Sequence, residues 1–173
     1  AEAGQRVAIN IAGIKVDEIK RGDVIAKPSS MECSMMFDAK LKLLKTSERA
    51  INNRDRLRIY HGSAEIFARV ILLDRDELSP GEEAFVQMRL EEEVACQKDD
   101  YLIIRFFSPM VTIGGGTILE PNPPKRKRFK EEVIEELLIK EQGNTDEIIE
   151  QYLLKFGYSF PDIKTIAKAA GNI

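Results

Sequence analysis

Ala64-Glu65-Ile66-Phe67-Ala68-Arg69-Val70-Ile71-Leu72 sets Ala64, Ile66, Ala68, Val70 and Leu72 in one row and Glu65, Phe67, Arg69 and Ile71 in the other. A period of two sends successive side chains to opposite faces, so the stretch reads as a strand with one side on a core. The same alternation lies on both sides of it. Before it, Phe37, Ala39, Leu41 and Leu43 interleave with Asp38, Lys40 and Lys42, and Leu57 and Ile59 with Arg56, Arg58 and Tyr60, Gly62 marking the turn into Ala64. After it come Ala84 to Leu90, Tyr101 to Phe107 and Met110 to Leu119, separated by turn-rich Asp74 to Gly81, by charged Lys98 to Asp100 and by Ser108-Pro109. Six strands at short spacing with no helix between them predict a mainly β fold. Its centre, residues 31–120, is expected to be a closed six-stranded antiparallel barrel, because closure leaves no edge open to aggregation.

Upstream, Val7, Ile9 and Ile11 alternate with Ala8, Asn10 and Ala12, and Asp23 to Lys27 resumes an apolar run that Pro28 ends. Two strands cannot close a barrel, so residues 1–30 are expected to be the last strands of a preceding, second barrel. Downstream, Pro121-Asn122-Pro123-Pro124 removes donors and forces extended backbone, which predicts a Pro/basic linker over 121–128. Phe129, Val133, Ile134, Leu137 and Leu138 then recur at helical spacing. Asn144 or Thr145 can cap a second helix with Ile148, Ile149, Tyr152, Leu153 and Phe156 on one stripe and Gly157 as its stop. A third short helix is expected from Asp162 to about Ala170, before Gly171. Three short helices in this order over 129–173 resemble the start of a winged-helix domain.

Composition narrows the function. The 173 residues are 43% apolar, enough for real cores, and no apolar run approaches the roughly 20 residues that span a bilayer, so no membrane role is expected and a cytoplasmic protein is. Lys and Arg number 26 against 29 Asp and Glu, so contact with nucleic acid has to come from local patches. Cys33, Cys96 and the single His61 stand at no metal-ligand spacing, which predicts reduced thiols and no metal site.

Four constellations invite a chemical reading. Gly114-Gly115-Gly116 is followed by neither Lys-Ser/Thr nor a helix, so it is no nucleotide loop. Within a strand it reads as a bulge or a place where another backbone comes close, and an RNA phosphate needs that same room. His61, at a strand end beside Gly62 and Ser63, shows no oriented partner for base catalysis, which leaves a structural role or an RNA backbone contact. The carboxylates of Glu82-Glu83 and Glu91-Glu92-Glu93 read as solvated charge at strand ends or turns. Lys125, Arg126, Lys127 and Arg128, with Lys130 close behind, make five of six consecutive residues cationic. Such a run either meets a polyanion or an acidic protein surface, or is a solvated spacer. Arg56, Arg58 and Tyr60 on one strand face could meet phosphates and sugars, against the alternative of an ordinary polar exterior.

Gly4 to Ile14 and Glu18 to Pro28 look like the end of the second domain of elongation factor Tu relatives. Arg58-Ile59-Tyr60-His61-Gly62-Ser63-Ala64-Glu65, Arg69 to Asp74, Arg105-Phe106-Phe107-Ser108-Pro109 and Thr112-Ile113-Gly114-Gly115-Gly116 resemble the third-domain barrel of the selenocysteine-specific branch. The linker leading into helices supports that branch, since elongation factor Tu itself ends with its third barrel. The resemblance implies a protein that carries selenocysteyl-tRNA to the ribosome at recoded UGA codons, with downstream winged helices that bind a messenger-RNA hairpin. The phosphate loop, switch regions and guanine-reading motif are missing from this sequence. GTP and Mg are therefore expected only in a GTPase domain outside it, with no cofactor, no catalytic residue and a monomeric state here. Carried onto matching positions, tRNA contacts fall on Arg58, His61, Ser63, Thr112, Gly114 and Gly115, with Lys125 to Arg128 as an RNA or ribosome patch. The alternative function is a structural, protein-interaction module that braces the GTPase domain without touching RNA.

Overall fold

The computed structural model describes residues 2–28, 30–142, 145–156, 161–163 and 166. Strands β1 (Glu32–Leu43), β2 (Ile51–Asn52), β3 (Arg56–His61), β4 (Ala64–Leu72), β5 (Glu77–Leu78), β6 (Glu83–Cys96), β7 (Tyr101–Phe106) and β8 (Thr112–Pro121) precede helices α1 (Glu131–Gln142) and α2 (Thr145–Phe156). Six of the strands close into an antiparallel barrel in the order β1-β6-β4-β3-β7-β8, with β8 back on β1, and β2 and β5 form a separate two-stranded ladder. The barrel and its strand segments match the expectation from alternation. Only the β2–β5 ladder was hidden, being too short to show a period.

The inward rows fill the barrel: Phe37, Leu41, Leu57, Ile59, Val70, Leu72, Met88, Ile104 and Ile118 are all essentially without solvent contact. Burying each such side chain contributes roughly 1.5–3 kcal/mol, and cutting one back to alanine costs about 2–5 kcal/mol. The glycine run explains how β8 fits. A Cβ on Gly114 or Gly116 would collide with the Lys42 or Lys40 carbonyl oxygen of β1, and one on Gly115 would stand 2.7 Å from the Leu102 carbonyl oxygen of β7. The close-approaching backbone is thus the protein's own.

A second apolar layer lies outside the barrel, where Ile71, Leu73, Phe85 and Leu119 pack with Leu137, Val133 and Ile134 of α1. Here the expected linker becomes part of the barrel surface. Asn122 N donates to the Met36 carbonyl at 3.1 Å, Phe129 N to the Leu73 carbonyl at 2.7 Å, and Gln87 Nε2 to the Pro124 carbonyl at 2.9 Å.

Arg126, 6% exposed, donates to Asp38 (0% exposed) at 2.8 Å, to Glu120 at 2.5 Å and to both oxygens of Glu136 at 2.8 and 2.9 Å. Lys140 adds bonds to Glu136 at 2.7 Å and to Glu120. Arg128 donates to the Leu72 and Arg75 carbonyls at 2.6 and 2.5 Å and to Asp76. These charges can be buried only because each finds opposite charge and hydrogen bonds. Burial raises the Asp38 carboxyl to about 6, with the Arg126 bond and charge and the Gln87 amide offsetting part of it. Burial pulls the Arg126 guanidinium down, but its bonds to Glu136 and Asp38 outweigh this and hold it above its ordinary value.

Three expectations are corrected. Residues 5–12 and 23–27 form no strand; between them lies only a one-turn 3-10 helix at Val16–Glu18. Alternation makes a strand only where a neighbour supplies a ladder, and none of the described residues pairs with these stretches, whose Val7, Ile9 and Ile25 stay exposed. Glu91, Glu92 and Glu93 lie within β6 at a register shift opposite β1, not in a turn. Phe129 precedes α1 with φ 56° and is exposed, so it is not part of the helix's apolar stripe. Asn144, Gly157 and most of the expected third helix lie outside the described residues.

Candidate nucleic-acid interface

Register, which no periodicity reveals, decides what the outer wall carries. On the face formed by β7, β3, β4 and β6, Arg105 stands opposite Arg58, and Arg58 opposite Phe67. One step along the strands, Arg56 stands opposite Arg69, and Arg69 opposite Arg89. Five arginines from four strands thus share one surface of a chain whose net charge is −3. Rings are interleaved among them. The Arg56 and Arg58 guanidiniums lie 4.3 and 4.7 Å from the Phe67 centroid, Arg56 is 5.2 Å from Phe107, and Arg105 is 4.9 Å from Tyr60. These ring contacts restrict the guanidiniums before any ligand arrives, which lowers the ordering cost of a phosphate contact.

Acids temper the face. Arg58 pairs with Glu65, and Arg56 holds Glu91 through two bonds of 2.7 and 2.6 Å. That bond raises Arg56 and lowers Glu91 from their ordinary values. Arg105 Nε donates to Thr112 Oγ1 at 2.9 Å, so Thr112 joins the face through Arg105. Among the described residues, the Arg89 side chain has no hydrogen-bond or ion-pair partner, although its backbone is paired in the β6 ladders.

Of the residues singled out from the sequence, Arg58 and Thr112 come together here. His61 does not: its side chain is 12% exposed at the end of β3, with Nδ1 3.2 Å from the Tyr101 carbonyl and Nε2 3.4 Å from Asp100. Ser63 sits in the β3–β4 turn, where its carbonyl accepts a 2.9 Å bond from Arg21. Gly114 is buried in the barrel wall, and Gly115 floors an outer groove of about 620 Å³ between Lys40 and Lys42 on one side and Tyr101 and Ile103 on the other. Within the basic run, Arg126 and Arg128 turn inward as described, whereas Lys125 and Lys127 are exposed. The expected four-residue patch is therefore two exposed lysines. Sequence reading missed Arg69, Arg89 and Arg105 as partners of Arg58; the signal was their place in outward rows, legible only once the strands are put in register.

No group of three or more His, Cys, Asp or Glu side chains suited to a metal ion occurs among the described residues, nor does any helix long and apolar enough to cross a membrane. Cys33 and Cys96 are free thiols, and burial pushes Cys96 up to about 12.

Comparison with known proteins agrees with this architecture. The family model described as the β-barrel domain of selenocysteine-specific elongation factor matches residues 38–125. The chain is similar to the selenocysteine-specific elongation factor of Desulfomicrobium baculatum, with 37% identity over 77% of this chain and 21% of the relative. It is also similar to those of Escherichia coli, at 28% identity over 84% of this chain and 22% of the relative, and Haemophilus influenzae, at 25% over 75% and 20%. The chain thus spans about a fifth of the length of these curated relatives. A family match across the barrel strands and into the clamped segment beyond them places this chain in the β-barrel family of selenocysteine-specific elongation factors.

Proposed function

We propose that this barrel is an RNA-binding module of a cytoplasmic translation factor, holding selenocysteyl-tRNA for delivery to the ribosome through the Arg105–Arg58 and Arg56–Arg69–Arg89 rows. The observation that carries the reading is the gathering of five arginines and three rings on one face of an otherwise acidic chain. Such a face suits phosphates and 2′-hydroxyls, which report the shape and position of an RNA helix and not its sequence. All three rings already have a guanidinium over them, which argues for backbone contacts over base stacking. GTP and Mg, the ribosome and a messenger hairpin belong, in this proposal, to interactions made by other parts of the parent protein. The module itself performs no catalysis.

The test is binding of a tRNA to this chain across a salt series. Phosphate contacts give a log–log slope of about −0.7 to −0.9 per contact, so the Arg58→Glu/Arg105→Glu double variant is expected to bind weakly and with a shallower slope. Salt-independent binding, or an unchanged slope in the variant, would remove the reading.

One observation favours bracing as a second role. Tyr101 and Ile103 are large apolar side chains left exposed along β7 on the wall of the glycine-floored groove, and Met110 and Val111 stay exposed in the loop after the strand. Exposed apolar clusters mark protein contacts. Tyr101→Ser/Ile103→Ser is expected to weaken docking of a GTPase domain while leaving RNA affinity unchanged; loss of RNA binding instead would count against a separate bracing surface.

A further inference from the structure

Arg56, Arg69 and Arg89 lie directly across three neighbouring strands. Such strands stand about 4.8 Å apart, so three guanidinium stems are gathered within roughly 10 Å. Like charges placed opposite one another repel, and an anion between them relieves the repulsion. The anion in place is Glu91, which reaches over from the β6 register shift and grips Arg56 by two parallel bonds of 2.7 and 2.6 Å. Its carboxyl is held below the ordinary range first by the Arg56 bond and charge, then by the field of Arg69. A carboxylate seated two-pronged on an arginine has the shape that two phosphate oxygens would take. Three cations facing one carboxylate leave positive charge unanswered, most plainly at Arg89. The Arg56 guanidinium also lies over Phe67 and Phe107, 4.3 and 5.2 Å from their centroids, which keeps it in place when the carboxylate leaves.

We infer that the Arg56–Arg69–Arg89 row is a phosphate subsite which Glu91 fills in the free protein and which a backbone phosphate of RNA takes over by displacing it. This deepens the proposed RNA reading and rests on it. Glu91 then acts as an internal competitor. It keeps the face from holding stray polyanions tightly and makes engagement depend on a ligand whose remaining phosphates reach Arg58 and Arg105 at the same time. Glu92, the next residue, is exposed and carries the same charge without gripping Arg56, which makes it the control.

The experiment measures binding of a short RNA duplex to this chain over a salt series, comparing wild type, Glu91→Gln and Glu92→Gln. Freeing one charge-assisted contact is expected to tighten low-salt binding by about three- to tenfold in Glu91→Gln and to steepen the salt slope by about 0.7–0.9. Glu92→Gln is expected to change affinity by about twofold or less, as a mere surface-charge change does. Equal effects of the two variants would overturn the inference, as would a Glu91→Gln gain that survives Arg69→Gln/Arg89→Gln. Arginine side-chain NMR with inorganic phosphate separates the subsite from the RNA reading. If wild type binds no RNA but the Arg56 Nε signal of Glu91→Gln moves with phosphate, the RNA reading falls and the subsite stands. If that signal stays still, the subsite is gone whatever RNA does. Tighter binding of polyglutamate than of RNA would make the row an acceptor of acidic protein and overturn the assignment.

Discussion

Replacing Arg126 by methionine keeps most of the side-chain volume and removes the charge that joins barrel, linker and helix. In the folded protein Arg126 faces Asp38, Glu120 and Glu136; without it Lys140 still pairs with Glu120 and Glu136, but Asp38, with no solvent contact at all, keeps the Gln87 amide and loses its ion pair. Breaking a buried ion cluster by removing one partner costs about 3–5 kcal/mol, chiefly because the abandoned charges stay buried. For a chain of this size about 2–4 °C of melting temperature follows each kcal/mol, so thermal unfolding followed by circular dichroism should show a fall of roughly 6–20 °C at neutral pH. The deficit should shrink as the pH is lowered. Burial already raises the Asp38 carboxyl, and losing the Arg126 bond and charge that lower it raises it further, so the variant takes up protons on folding and its stability improves toward acid. Adding Asp38→Asn should restore part of the loss, since it removes the most deeply buried of the unpaired charges. A melting change of less than about 2 °C for Arg126→Met, or a deficit that grows toward acid, would refute the view that this cluster clamps the helix to the barrel.

Other outcomes follow from single features. Asp38→Asn in an otherwise native chain should alter the pH profile: with the Asp38 carboxyl raised from 3.8 to about 6, wild type holds this contribution in full below 3.8 and loses it as pH rises to about 6. The shift corresponds to about 3 kcal/mol, so denaturant unfolding at several pH values should show wild type falling relative to the variant across that window and level above it. Gly116→Ala places a methyl against the Lys40 carbonyl and 2.8 Å from the Leu41 side chain, and should destabilise by about 1–3 kcal/mol or more, read from the urea midpoint. Cys33 should react with a maleimide in the native protein, while buried Cys96 should label only on unfolding.

The barrel was legible because its strands alternate cleanly: Ala64, Ile66, Ala68, Val70 and Leu72 all face the core as their spacing implied. Ile71 breaks that rule in sequence, an apolar residue in the outward row, and the structure supplies the reason in the α1 side chains that cover it. That cue, with Leu73 and Leu119, could have placed the helix on the barrel. The basic run misled in the opposite way. Charge density in Lys125 to Arg128 suggested solvent or polyanion, but the acids that draw Arg126 inward are 88 residues away at Asp38, 10 away at Glu136 and 6 away at Glu120 on the end of β8, and no sequence period brings the three together. The opening strands failed because a period of two describes what a segment could do beside a neighbour, and residues 5–12 have none among the described residues. For the interface, Arg58 was visible as a strand-face cation, but its company was not. Arg105 lies far along the chain and meets Arg58 only through the β3–β7 register.

The most direct measurement is a residue-by-residue NMR map of this chain as tRNA is added at low salt. The changes are expected to centre on Arg56, Arg58, Phe67, Arg69, Arg89, Arg105 and Thr112, and to fade as salt rises. Changes confined to α1 or to the groove lined by Lys40, Lys42, Tyr101, Ile103 and Gly115, with the arginine face unmoved, would contradict that placement.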